Sequence, residues 1–201
     1  MLIDACPHMR RIHDLGGYPP PREQPAGFAT LLRIIVDQQV STQSGAAIWR
    51  RLEEDLGDVT VDAVLNTGEE GLRASGFSRP KARYAGELAR AIKSGELDLV
   101  ALEHLPTPDV QAALVKIKGI GRWTAEVYLM FALNRPDVWP AGDLALVVAV
   151  QHLLDLPARP NIDEMDALSQ QWRPWRSMAA LMLWHYYRHI KKGQGGEPGR
   201  S

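Results

Sequence analysis

The stretch KIKGIGRWTAEVYLMFAL, Lys116 to Leu133, decides how this chain is read. Gly119 and Gly121 bracket Ile120, and Arg122 and Trp123 open an apolar run with helical spacing. Glycine permits positive φ and close backbone approach. Gly121 stands at a helix start, where backbone N–H groups point outward and favour anions. A helix, a short glycine turn and a second helix therefore form a pattern suited to clamping a phosphate through the main chain. A glycine that merely ends one helix before the next begins would leave the same letters. Lys116, Lys118 and Arg122 weigh toward the anion.

Outward from this turn the pattern is helical almost throughout. Phe28–Gln38 and Ser41–Leu56 carry apolar residues at helical spacing. Short helical pieces follow at Val61–Leu65 and Gly71–Ala74. Ser78 with Pro80, and Thr107 with Pro108, read as helix starts. A loop, NRPDVWPAG, leads to Asp143 and an apolar helix ending near Leu154. Asn161 and Asp163 open another helix to about Trp172, and Pro174 opens the last. No stretch alternates as a strand would. The fold class is all-α, with about ten helices. Residues 1–26 read as an irregular segment, 27–190 as one α-helical unit, and 191–201 as a flexible, glycine-rich tail.

The 201 residues suffice for one domain or two small lobes. Apolar residues make up 45% and charged ones 23%, the balance of an ordinary globular protein. No apolar run approaches the ~18 to 20 residues of a membrane helix, and the N-terminus lacks the order of a signal peptide. The expectation is a cytoplasmic protein without membrane contact. Cys6 is the single cysteine, which excludes an intrachain disulfide and a cysteine-ligated zinc or iron–sulfur cluster. The net charge of −1 argues against a large electrostatic footprint on DNA but leaves room for a small one. Lys81, Arg83 and Arg90 are candidates for a basic face, with a solvated surface as the plain alternative.

As a unit, LVKIKGIGRWTA (Leu114–Ala125) resembles the helix-hairpin-helix of the DNA glycosylase superfamily, and GIGRWTA most resembles its 3-methyladenine DNA glycosylase II branch. Three further stretches agree in the family's order: IIVDQQVS (Ile34–Ser41), VWPAGDLAL (Val138–Leu146) and WRPWRSMAALMLW (Trp172–Trp184). The resemblance runs from about Phe28 to Trp184. It implies two α-helical lobes with an active-site cleft between them. One lobe comes from the middle of the chain, the other from the N-terminal part and the last helices. Some members add an N-terminal β-rich domain, for which the residues before Phe28 are too few.

The resemblance also implies a mechanism. Cutting the bond between base and deoxyribose builds positive charge on the sugar. Asp143, twenty residues after Trp123, stands at the family's catalytic aspartate. A carboxylate there stabilises that charge and orients water. Gly142-Asp143 before LALVVAV also reads as a helix N-cap, and the two roles are compatible. Members with lyase activity carry a lysine at the position of Trp123 that forms a Schiff base; tryptophan cannot. Trp123 and Trp184 match aromatic positions that hold the damaged base by stacking and cation–π attraction. Helical tryptophans are also ordinary core residues. Val127 and His185 stand where some members have further aromatics.

For DNA, the implied contacts are Gly119, Gly121, Arg122 and Thr124 of the hairpin. Gln39 fills the gap left by a flipped base, and Gln38 reads as structural. The carbonyls of Val115, Ile117 and Ile120 would hold Na+ or K+, with no other cofactor required. His185 and His189, four apart, lack the carboxylate of a zinc motif. The expected activity is monofunctional removal of alkylated purines from duplex DNA by a monomer. The alternatives are a glycosylase for hypoxanthine or ethenoadenine, and a non-catalytic helix-hairpin-helix DNA-binding module.

Overall fold

A computed structural model describes residues 2–194. Among them are twelve α-helices, one 3-10 helix and no strand. No helix of the described residues is long and apolar enough to cross a membrane. The chain divides into two compact units: residues 23–134, and residues 1–22 together with the part from 135 onward.

The second of these begins with α1 (Leu2–Ala5) and α2 (Pro7–Gly16). The expectation of an irregular 1–26 is therefore corrected: only the part after Gly16 lacks helix. Pro7 sits in the first turn of α2, where its missing N–H costs nothing. Met9 and Ile12, three apart, are 0% and 1% exposed. Two buried apolar residues in a mostly polar decapeptide make a weak signal; the packing of α2 against the last helix supplies the rest.

Residues 23–134 hold α3 (Phe28–Asp37), α4 (Thr42–Leu56), α5 (Val61–Ala74), α6 (Arg79–Lys93), α7 (Leu99–Leu102), α8 (Thr107–Val115) and α9 (Arg122–Phe131). In α3, Leu31, Leu32, Ile35 and Val36 are all fully buried. Apolar on this many sides, α3 packs on α4, α6 and α9 as the centre of the unit. The buried Tyr128 of α9 ties in the entry to α3 by accepting the Gly27 N–H at 3.0 Å. Ser41 caps α4 by accepting the Ser44 N–H. The two short pieces expected around Gly68 are there: Gly68, at φ +66 and ψ 179, breaks the helical backbone of α5 between them. Thr107 is the first residue of α8 rather than its cap, which is Pro106.

The remaining elements are α10 (Leu144–Leu153), α11 (Ile162–Ser169) continued by the 3-10 turn Gln170–Trp172, and α12 (Arg176–Gln194). Asn161 and Glu164 form a reciprocal capping box at α11. Helix α12 packs on α2 and α10. It extends through Gln194, so the expected tail from 191 starts as helix; residues 195–201 lie outside the described part.

Candidate active site

In residues 23–134 the hairpin joins α8 to α9. The Ile117 N–H donates to the Leu114 carbonyl and the Ile120 N–H to the Ile117 carbonyl, both at 3.0 Å, so the turn is tight. The two glycines play different parts. Gly119 has φ +95, and a Cβ there would collide with Tyr84. Gly121 is exposed, with φ −90 and ψ 177, a conformation open to any residue. A Cβ on Gly121 would meet nothing within 4 Å. The fold thus requires glycine at 119 and is indifferent to it at 121. No side chain caps α9, which starts at Arg122.

Other residues expected at this interface divide. Arg122 is exposed but donates to Glu126 at 2.7 Å, a carboxylate with only 5% side-chain exposure. Thr124 is 2% exposed, and its hydroxyl oxygen accepts from Gln38 Nε2 at 2.8 Å. The Thr124 hydroxyl belongs to the interior. The same Gln38 amide donates to the Gly119 carbonyl at 3.0 Å, confirming a structural place for Gln38 and joining the end of α3 to the hairpin. Gln39, next in line, is exposed and adopts φ +54. That conformation costs a residue with a side chain roughly 1–2 kcal/mol, a local strain typical of sites under functional constraint. Trp123 is half-buried near the start of α9, and Val127, on the same helix, is buried. Lys116 and Lys118 are exposed.

In the other unit the sequence NRPDVWPAGD brings Asp143 to the start of α10. Asp143 caps this helix: its Oδ1 accepts the Leu146 N–H at 3.0 Å. The same oxygen accepts Trp184 Nε1–H from α12 at 2.9 Å. Both side chains are half-exposed. The structure thus brings together Asp143 and Trp184, a pairing that helical spacing cannot reveal.

The loop before Asp143 is latched to the start of α12. Arg176 donates to the Asp137 carboxylate at 2.7 and 3.0 Å and to its carbonyl at 3.0 Å, and Arg173 adds a bond at 3.2 Å. The Ser177 hydroxyl donates to the Arg135 carbonyl at 2.6 Å and accepts the Val138 N–H at 3.0 Å. Trp139 packs on Trp172 with ring centroids 5.0 Å apart. These contacts fix the loop that carries Asp143 to the helix that carries Trp184. Sequence reading missed the latch; its one signal was a lone aspartate amid apolar residues.

Burial raises the Asp137 pKa, but the hydrogen bonds and charge of Arg176, with help from Arg173, hold it below its ordinary 3.8. A carboxylate with a lowered folded pKa stabilises the fold above the unfolded value, and that contribution is lost as pH falls through the folded one. Asp137→Asn is therefore expected to lower the melting temperature near neutral pH. The deficit against wild type should shrink as pH falls below 3.8, as thermal scans across that range would record.

His185 Nε2 lies 3.2 Å from the Gly16 carbonyl, and its Nδ1 lies 3.3 Å from Arg188 Nη2. Among the described residues, no group of three or more His, Cys, Asp or Glu side chains could hold a metal ion.

Comparison with known proteins supplies the class to which the chain belongs. Residues 32–174 match the HhH-GPD superfamily of base excision DNA repair proteins, and the chain belongs to that family. Within it the similarity is to 3-methyladenine DNA glycosylases. DNA-3-methyladenine glycosylase 1 of Schizosaccharomyces pombe is 33% identical over 87% of this chain and 79% of its own length. The putative DNA-3-methyladenine glycosylase YfjP of Bacillus subtilis is 32% identical over 78% of this chain, which spans only 58% of that protein. The solved structure of S. pombe 3-methyladenine DNA glycosylase Mag1 in complex with abasic DNA superposes with a TM-score of 0.82. It is 31% identical, and the match covers 90% of this chain and 95% of that one.

Proposed function

We propose that this protein is a monofunctional DNA glycosylase that removes alkylated purines from duplex DNA by hydrolysis, acting as a monomer. The observation that carries this reading is the Asp143 carboxylate, oriented by a helix N–H and by the Trp184 indole. The chemistry asks for such a group. The N-glycosidic bond breaks, its electrons leave with the base, and the sugar becomes cation-like. A carboxylate held at a set position stabilises that charge without reorganising. Water then forms the C1′–O bond, and its proton passes to Asp143 or to solvent. A cationic base such as 3-methyladenine leaves as a neutral molecule, so little acid catalysis is needed. The aromatic faces of Trp123 and Trp184 suit an electron-poor purine.

The hairpin supports an anchoring role. Gly121 leaves space at the start of α9 that the fold itself does not use, and a phosphate oxygen can approach the main chain there. Gln39, exposed and strained, suits the wedge that fills a flipped nucleotide's gap. The carbonyls of Val115, Ile117 and Ile120 fit Na+ or K+. They are neutral oxygen donors, and the Ile117 carbonyl, which accepts the Ile120 N–H, keeps a second lone pair. The bound ion would supply positive charge beside a DNA phosphate.

Single-turnover assays on duplexes that each carry one damaged base test the reading. Release of 3-methyladenine or 7-methylguanine is expected, with no covalent adduct on borohydride treatment, because position 123 is tryptophan. An adduct would overturn the hydrolytic mechanism. Excision confined to hypoxanthine or ethenoadenine would move the substrate assignment, and binding without any excision would leave a DNA-binding module.

A further inference from the structure

Lys81 reads in sequence as a candidate for a basic face, yet the structure turns it inward. From the first turn of α6 its Nζ donates to the Val36 carbonyl at 2.7 Å and to the Gln38 carbonyl at 2.6 Å. These are carbonyls at the C-terminal end of α3, where the helix leaves acceptors without intrahelical partners and favours positive charge. Desolvation lowers the Lys81 pKa, against the opposing pull of the Asp37 charge, as expected of an ammonium withdrawn from water.

The turn that Lys81 grips has two ends with separate tasks. The Gln38 side chain is bound to the Gly119 carbonyl and the Thr124 hydroxyl of the hairpin. Gln39 follows at φ +54, without the glycine that usually relieves a left-handed residue at a helix end. The ammonium binds the Val36 and Gln38 carbonyls on either side of Asp37, immediately before this residue.

We propose that Lys81 is a positioning residue for DNA distortion: it presents Gln39 to the duplex while the neighbouring Gln38 keeps that turn in register with the hairpin. This rests on the reading of Gln39 as the wedge. Lys81 then contributes where DNA has a gap to fill and contributes nothing to intact duplex. A lysine that bound phosphate would strengthen both alike.

The test compares affinity for a duplex bearing a tetrahydrofuran abasic analogue with affinity for the same duplex undamaged. Wild type, Lys81→Met, Gln39→Ala and the double variant are titrated. Each single substitution is expected to lower the abasic-to-undamaged preference about tenfold, by loss on abasic DNA, with the double variant no worse than Gln39→Ala. Lys81→Arg, which keeps the donors, should restore most of the preference. Equal loss on both duplexes overturns the proposal in favour of a phosphate contact. An unchanged preference in Lys81→Met, with Gln39→Ala impaired, overturns it and leaves the wedge standing. An unchanged preference in Gln39→Ala removes the wedge reading, and the route through Gln39 falls with it. If Lys81→Met does not fold, Lys81→Gln carries the same comparison.

Discussion

Asp143→Asn is expected to slow base release by about 10²- to 10³-fold, the usual cost of removing a group that stabilises transition-state charge. Binding to damaged duplex should stay near the wild-type value. The substitution is close to isosteric, which makes it informative. Asparagine caps helices about as well as aspartate. Its carbonyl oxygen can still accept the Leu146 N–H and the Trp184 Nε1–H, the two bonds made by Asp143 Oδ1. Helix α10 and the indole therefore stay in place while the negative charge disappears. Single-turnover excision on a duplex with one methylated purine, with binding measured in parallel, separates the two effects. Unchanged excision would remove Asp143 from the chemistry. Loss of excision together with a lower melting temperature would make it only a helix cap.

Gly119→Ala and Gly121→Ala are expected to fail in opposite ways. At 119 the substitution meets φ +95 and the Tyr84 side chain. Left-handed strain of roughly 1–2 kcal/mol and overpacking of about 1–3 kcal/mol predict destabilisation of several kcal/mol. At 121 neither cost arises, so stability should stay within about 0.5 kcal/mol of wild type. A methyl group there instead holds a phosphate away from the main chain. Losing one hydrogen bond to a charged group, about 1.5–3 kcal/mol, predicts roughly 10- to 100-fold weaker binding to every duplex, whatever its sequence. Thermal melting and fluorescence anisotropy on both variants would check this. Normal DNA affinity in a folded Gly121→Ala variant would show that the hairpin is not the anchor.

Helix content was legible because apolar spacing and caps are local. Ser41, Asn161 and Asp143 all cap the helices that follow them. Helix α2 escaped because only Met9 and Ile12 mark its buried face. The candidate site was legible as positions but not as contacts. Trp184 could be read equally as core or as pocket. Its donor bond to Asp143, 41 residues away, is visible only in the structure. Thr124 sits in a motif expected to touch DNA, yet its hydroxyl serves Gln38, 86 residues away. Lys81 and Asp137 carried no motif at all.

By itself the sequence determined the all-helical class, the glycine hairpin, the tryptophan that follows it and the aspartate at a helix start. Each of these is written in residue type and short spacing, which act through backbone conformation. Only the tertiary structure decided which polar side chains turn inward and what they hold: Gln38 on the hairpin, Lys81 on the end of α3, Arg176 on the loop before Asp143. A polar group's orientation depends on the partners that packing brings within hydrogen-bond reach, and those partners lie dozens of residues away in the chain.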